Sequence, residues 1–181
     1  KQSIVNFLIK RGCEVVVVPY DTSYEEIIKH SPDGIMLSNG PGNPAHCSDI
    51  LPNIKQIYES SIPVFAICLG FQLLALANGA NISKLKFGHR GGNHPVKDLK
   101  KDRVYITSQN HSYAVDAQGL TQNIEITHIN MNDNTIEGIR YIDKPVSSVQ
   151  FHPQASPGPE DTLYIFDEYL KTVKNYKNKK S

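Results

Sequence analysis

The sequence lacks the features of a membrane, secreted or metal-binding protein. No apolar run approaches the roughly 20 residues that a membrane-spanning helix needs, so a membrane protein is excluded. The three cysteines (Cys13, Cys47 and Cys68) share no CxxC spacing, and no signal-like leader is present. These absences predict a cytoplasmic protein in a reducing compartment. The seven histidines show no HExxH spacing, so we expect no metal site.

The chain also lacks a large net charge of either sign. The 19 basic and 18 acidic side chains give a formal net charge of +1, and the basic residues are dispersed along the chain. We therefore expect no nucleic-acid partner, because such proteins present clustered Lys and Arg. The one basic cluster is the C-terminal segment 174–181, which we expect to be a solvated tail or linker.

What is present is a regular alternation of helical and strand patterns, typical of an α/β protein. The run Val15–Val18 is apolar on both faces, which predicts a strand in a sheet covered on both sides. We expect one domain over residues 1–173, with a mixed, mostly parallel sheet and helices on both of its faces. The chain opens on a helix with no strand before it, so we expect a fragment that lacks its first strand.

The second half of the chain shows two further elements. Residues 124–126 and Ile136 flank the turn sequence Asn-Asp-Asn at 132–134, which predicts a hairpin. A final helix is expected after Pro159, with Glu160 and Asp161 in its first turn. Its inward-facing side chains are apolar and recur at helical spacing: Leu163, Phe166, Leu170 and Val173.

Cys68 stands where an apolar strand ends and a helix begins. The segment 64–74 has the sequence form of a nucleophile elbow, a tight strand-to-helix turn that holds the central side chain clear of the sheet. The following helix N-terminus favours a thiolate at this position. The alternative is a structural cysteine, since a lone cysteine in an apolar run is most often packing.

Three other segments are candidates for the same site. The turn 38–44 follows a predicted strand, and its backbone N–H groups could face an anion or simply form a turn. The polar segment 107–113 could bind a polar substrate or form a hydrogen-bonded loop. His152 follows the end of another strand, and a lone histidine is more often structural. Together they favour a Cys68–His152 pair, because α/β active sites gather at the carboxyl ends of strands.

Several motifs of the chain together match those of one protein family. The chain resembles the class I glutamine amidotransferases, which carry Cys-x-Gly at the elbow and a late His-Pro. Within that class it is most similar to the branch formed by the small subunits of carbamoyl phosphate synthetases. The motifs that carry the resemblance are Ser-Asn-Gly-Pro-Gly at 38–42, Ile-Cys-Leu-Gly at 67–70, Phe-Gly-His-Arg-Gly-Gly-Asn-His-Pro-Val at 87–96, Ser-Gln-Asn-His at 108–111 and Ala-Ser-Pro-Gly-Pro at 155–159.

The resemblance implies a flavodoxin-like glutaminase domain and a role for each site residue. It also implies a fragment that lacks the N-terminal domain of the family as well as the first strand. Cys68 would attack the side-chain amide of L-glutamine, with His152 as its base and Gln154 as the third member. The implied oxyanion and substrate contacts come from three segments: Gly40, Gly42, Leu69, Gln72, Asn110, Ser112 and Tyr113. The implied partner is the large synthetase subunit, which uses ATP and bicarbonate, and no cofactor is expected in this domain.

The chain departs from the family pattern at the catalytic residues themselves. Gln154 stands where the family has glutamate, and an amide cannot supply its charge. At the elbow, Ala66 replaces a usual glycine and Phe71 a usual histidine. The first interpretation is a slow but competent glutaminase that supplies ammonia for carbamoyl phosphate. The second is a catalytically impaired subunit that binds and regulates its synthetase partner.

Overall fold

The computed structural model describes residues 1–155 and 161–180 and contains one seven-stranded sheet in the order β1-β2-β7-β6-β5-β3-β4. The strands are β1 (Ile35–Leu37), β2 (Val64–Ile67), β3 (Ile82–Asp98), β4 (Arg103–Val115), β5 (Ile124–Asn130), β6 (Ile136–Tyr141) and β7 (Val146–Val149). The helices are α1 (Gln2–Lys10), α2 (Tyr24–Ile28), α3 (Leu51–Glu59), α4 (Leu69–Ala77) and α5 (Tyr164–Lys180), with a 3₁₀ segment at Pro44–Ile50.

The sheet is mixed, as expected, but the prediction that it is mostly parallel is wrong. Only the β1–β2 and β2–β7 pairs are parallel among the described strands, and the other four pairs are antiparallel. For three of these four pairs the reason is connection length. Short turns join β3 to β4, β5 to β6 and β6 to β7, and such turns connect only antiparallel neighbours. The predicted hairpin at 132–134 is confirmed as the β5–β6 turn.

Helices cover both faces of the parallel part of the sheet, as expected. Successive residues of β2 point to opposite faces, so Val64 and Ala66 pack with α3 and α4 while Phe65 and Ile67 pack with α1 and α5. All four residues of β2 are fully buried. The apolar residues predicted to face inward from the last helix lie in the α1–α5 cluster or against it: Leu163, Phe166, Leu170 and Val173.

The predicted strand at Val15–Val18 does not form in this structure. The segment pairs with no described strand, and Val16 and Val17 are 54% and 72% exposed. β1 pairs only with β2 among the described residues. An apolar groove of about 540 Å³ separates the segment from β1. An apolar run becomes a strand only where it exchanges backbone hydrogen bonds with a neighbour, and no described strand pairs with this segment.

The C-terminal segment differs from its prediction as well. The basic residues expected as a tail continue α5 as far as Lys180, and Tyr176 packs against the core. The helix begins at Tyr164, later than predicted, whereas the stretch 156–160 lies outside the described residues. No helix within residues 1–155 and 161–180 is both long and apolar enough to cross a bilayer.

Candidate active site

Cys68 forms the strand-to-helix turn that its sequence predicts. It directly follows β2 and directly precedes α4, with φ +53° and ψ −104°. A positive φ is uncommon for a non-glycine residue and recurs at functional sites. The Cys68 N–H donates a hydrogen bond of 2.9 Å to the carbonyl oxygen of Val149, the last residue of β7. The turn is therefore attached to the sheet on the side from which His152 emerges.

Two glycines allow the elbow to pack closely. A Cβ atom on Gly70 would lie 2.4 Å from the carbonyl oxygen of Leu37 at the end of β1. A Cβ atom on Gly40 would lie 2.9 Å from a methyl group of Leu69. At Gly70 only glycine permits the approach, because the atom that a Cβ would strike is backbone, whereas the end of the Leu69 side chain near Gly40 can move. The Gly40–Gly42 turn and the start of α4 are thereby held against each other.

A cavity of about 210 Å³ opens in front of Cys68. All seven residues predicted to contact the substrate line it, together with three neighbours; the set is Gly40, Pro41, Gly42, Cys68, Leu69, Gln72, Asn110, His111, Ser112 and Tyr113. The structure thus brings together three segments that are far apart in the chain. Their role as glutamine ligands stays a prediction.

The substitutions at positions 66 and 71 leave this cavity open. Phe71 and Ala66 are both fully buried in the core between the sheet and α3. Neither lines the cavity. The phenylalanine therefore does not alter the pocket directly, which removes one reason to expect an inactive variant.

The wall formed by residues 110–113 is held by side chains on both sides. Gln72 Nε2 donates hydrogen bonds of 2.9 Å to the Tyr113 carbonyl oxygen and to Gln150 Oε1. His111 Nδ1 lies 2.8 Å from the same carbonyl oxygen. Arg90 donates a hydrogen bond of 2.6 Å to Ser112 Oγ. The sequence presented this segment as a possible loop, but it is part of β4, whose pairing with β3 fixes its course.

His152 lies just beyond β7, the strand next to β2. Ile67 and Val149 are paired at the ends of these two strands, so Cys68 and His152 emerge at the same edge of the sheet. The His152 N–H donates a hydrogen bond of 2.9 Å to the carbonyl oxygen of Ser108 in β4. This bond ties the histidine to the strand that forms the cavity wall.

Gln154 lies beside His152, and its role as the third triad member stays a prediction. Its side chain is 4% exposed, and its Nε2 lies 3.5 Å from His152 Nδ1 and 3.5 Å from Asn39 Oδ1. In this orientation the amide donates to the ring, which places the histidine hydrogen on Nε2. A half-turn of the amide would present Oε1 instead and place the hydrogen on Nδ1. A carboxylate, which only accepts, would allow only the second arrangement.

Cys68 and His152 are both neutral at pH 7. Burial raises the pKa of the Cys68 thiol to about 11, against the opposing hydrogen bond from the Leu69 backbone. Burial lowers the pKa of His152 to about 4. Desolvation penalises the charged form of each group. The empty site therefore contains a thiol and a neutral imidazole rather than a thiolate–imidazolium pair.

This geometry agrees with the comparisons to known proteins. Residues 1–172 match the family model of the class-I glutamine amidotransferases, and the chain belongs to that family. A Thermoplasma acidophilum protein, solved under a provisional description as part of a GMP synthase, shares the fold with a TM-score of 0.85. That match has 21% identity and covers 98% of this chain and 90% of that one.

The more similar relatives belong to one branch of the family. The carbamoyl phosphate synthase small chain of Methanocaldococcus jannaschii is 53% identical over 171 residues, which cover 94% of this chain and 48% of that protein. The small chain of Staphylococcus saprophyticus is 55% identical, with coverage of 99% and 49%. That of Escherichia coli is 51% identical, with coverage of 98% and 46%. The chain spans about half the length of the curated relatives it matches.

The neutral, buried thiol leads to a prediction about alkylation. Without substrate at pH 7, iodoacetamide should modify Cys68 about a hundredfold more slowly than an unperturbed cysteine, because its pKa of about 11 exceeds the usual 9.0 by about two units. The less buried Cys47 should react first. Peptide mass spectrometry over a time course at pH 7 and at pH 9.5 measures both rates. If Cys68 reacts fastest at pH 7, the empty site holds a thiolate, and the conclusion that the Cys68 thiol is protonated is wrong.

Proposed function

We propose that this chain hydrolyses glutamine and supplies the ammonia to a large synthetase subunit that makes carbamoyl phosphate. One observation supports this most strongly. Cys68 stands at a strained elbow in the wall of a cavity of about 210 Å³, and the other walls are the Gly40–Gly42 turn and the segment 110–113. The names of the relatives support the choice of carbamoyl phosphate synthesis among the amidotransferase reactions.

The reaction is acyl transfer to a thiol. Cys68 Sγ forms a bond to the side-chain amide carbon of glutamine while its proton passes to His152. The tetrahedral intermediate collapses as the C–N bond breaks, and His152 returns the proton to the departing ammonia. Water, with His152 again as base, then cleaves the γ-glutamyl thioester to glutamate and the free thiol. At the end of the cycle Cys68 is again a thiol and His152 is again neutral, so no proton is gained or lost by the protein.

His152 is neutral at pH 7, so its ring can accept the thiol proton, although burial lowers its pKa and makes it a weaker base than an exposed histidine. The negative charge on the intermediate requires donors near the attacked carbon. The backbone N–H of Leu69 and those of the Gly40–Gly42 turn are the candidates in the cavity wall, whereas Pro41 has no N–H to give. The loss of one such donor typically costs about 10²–10³ in rate.

The domain needs no cofactor for this chemistry, and ATP and bicarbonate would be substrates of the large subunit. The product would serve arginine and pyrimidine synthesis, in the cytoplasm.

A second candidate function is favoured by one observation: Gln154 leaves the triad with no carboxylate. In that alternative the chain is a catalytically impaired subunit that binds and regulates the synthetase. We favour the glutaminase because the cavity is open and Phe71 packs away from it.

The direct test of the proposed function is ammonia release from glutamine. Cys68→Ala should abolish release to the background rate, since no other group in the cavity can form the thioester, whereas Cys47→Ala should leave release unchanged. A coupled glutamate dehydrogenase assay measures both, with the chain alone and with a carbamoyl phosphate synthetase large subunit. Equal rates for Cys68→Ala and the unmodified chain in the presence of the large subunit would contradict the proposal.

A second test concerns the triad. Gln154→Glu should raise kcat by about ten- to a hundredfold with little change in KM, because a carboxylate fixes the Nδ1–H form of His152 and stabilises its charged form. Gln154→Ala should lower kcat, since the ring then loses its orienting partner. Steady-state kinetics of the three proteins give the comparison. Activity that exists only in Gln154→Glu would identify the natural chain as the impaired regulatory subunit.

A further inference from the structure

A cluster of buried ligand-type side chains lies behind the cavity wall and has no part in the proposed reaction. His89 of β3, His111 of β4 and Glu137 of β6 bring one nitrogen or oxygen each within 4.8 Å of the others. His89 Nδ1 lies 3.2 Å from His111 Nε2 and 3.3 Å from Glu137 Oε1. His111 Nε2 lies 3.9 Å from the same oxygen. Strand pairing creates this cluster, since His89 and His111 are opposite each other in the β3–β4 ladder.

Gln109 adds a fourth ligand-type atom to the cluster. It lies on the same face of β4 as His111, two residues away, and is 2% exposed. Its Oε1 is 3.0 Å from His89 Nδ1 and 2.9 Å from His111 Nε2. Its Nε2 donates to Thr107 Oγ1 at 3.1 Å, which directs the oxygen towards the histidines. Two nitrogens and two oxygens therefore converge from three strands.

The far nitrogen of each histidine ring is held as in metal-binding histidines. His89 Nε2 is 2.8 Å from Asp133 Oδ2, and His111 Nδ1 is 2.8 Å from the carbonyl oxygen of Tyr113. Carboxylate and carbonyl oxygens only accept, so each of these nitrogens bears a hydrogen. The near nitrogens, His89 Nδ1 and His111 Nε2, can then both present lone pairs to the cluster. A carboxylate or carbonyl behind the ring is the usual support of a zinc-bound histidine.

The spacing and the charge of the cluster also suit a cation. Ligands about 2.0–2.1 Å from a tetrahedral ion lie roughly 3.3–3.4 Å apart, and the cluster distances range from 2.9 to 3.9 Å. The Glu137 side chain is completely buried, and its Oε2 has no hydrogen-bond partner within the described part of the chain. A buried carboxylate is either paired with a positive group or takes up a proton, and burial raises the pKa of Glu137.

We propose that His89 Nδ1, His111 Nε2, Glu137 Oε1 and Gln109 Oε1 bind one Zn²⁺ ion. Imidazole nitrogens with oxygen donors are ligands that zinc accepts, and four protein ligands make a closed, structural site. The ion would join β3, β4 and β6. His111 lies between Asn110 and Ser112 in the cavity wall, so the ion would stiffen that wall without taking part in glutamine hydrolysis.

The competing occupant of the cluster is a proton. The hydrogen bond to Glu137 raises the pKa of His89 to about 9, and a protonated ring would donate from Nδ1 to the cluster oxygens. The proposal and this alternative differ in what they predict for added zinc. A proton already in place would leave the chain without specific affinity for the metal at neutral pH.

The test is zinc binding by the unmodified chain and by matched histidine variants. The chain is freed of metal with a chelator, and Zn²⁺ is titrated in competition with a chromophoric chelator. One equivalent should bind with submicromolar Kd, and His89→Gln and His111→Gln should each weaken binding by at least a hundredfold. His94→Gln is the control: its ring stacks on His89 at 5.2 Å, but its Nε2 faces the Arg90 carbonyl oxygen.

Two further measurements guard against variants that fail to fold. Co²⁺ in the unmodified chain should give the visible absorption of tetrahedral nitrogen and oxygen coordination, and Zn²⁺ should raise its Tm. Binding of less than one equivalent, equal binding by His89→Gln, or an equal loss in His94→Gln would overturn the proposal. So would an NMR spectrum that still shows both ring nitrogens of His89 protonated at pH 7 in excess zinc. None of these readouts depends on glutaminase activity.

Discussion

The site depends on one local constraint, the turn at Cys68. Its backbone adopts a positive φ between β2 and α4, and its N–H is bonded to the end of β7. The turn can exist only because Gly70 lets α4 approach the Leu37 carbonyl oxygen, where any Cβ atom would lie 2.4 Å away. This packing places the thiol at the sheet edge, beside the Gly40–Gly42 turn and one strand from His152. The cavity, the proposed oxyanion donors and the base all follow from that position.

Burial sets the charge state of the empty site. It keeps the thiol of Cys68 protonated and the imidazole of His152 neutral. In the Ser-His-Asp triad of serine proteases, a carboxylate fixes the tautomer of the base and stabilises its charge. The amide of Gln154 does not fix the tautomer of His152, because it can present either a donor or an acceptor to the ring. It also has no charge with which to stabilise the imidazolium form. Cysteine tolerates this better than serine, since a thiol is the more acidic nucleophile.

Features set by neighbouring residues could be predicted from the sequence, and those set by distant pairing could not. The elbow at Cys68 and the β5–β6 hairpin are local, and both were predicted. The residues around the cavity followed only from a family resemblance, because three separate segments form it. Whether Val15–Val18 forms a strand depends on a partner strand from elsewhere in the fold, and no described strand pairs with it. The His89–His111 cluster depends on a β3–β4 register that shifts twice, between Lys84 and His89 and between Gly91 and His94, and no residue spacing reveals it.

If Cys68 is the nucleophile, it forms a covalent bond to glutamine during each turnover, and that intermediate can be trapped. Isotopically labelled glutamine is mixed with the chain and the large subunit, quenched in acid within the first turnover, and the peptides are mapped by mass spectrometry. We expect a γ-glutamyl thioester on the peptide that contains Cys68, and hydroxylamine should cleave it. Glutamine turnover with no covalent adduct, or with the label on another residue, would contradict it.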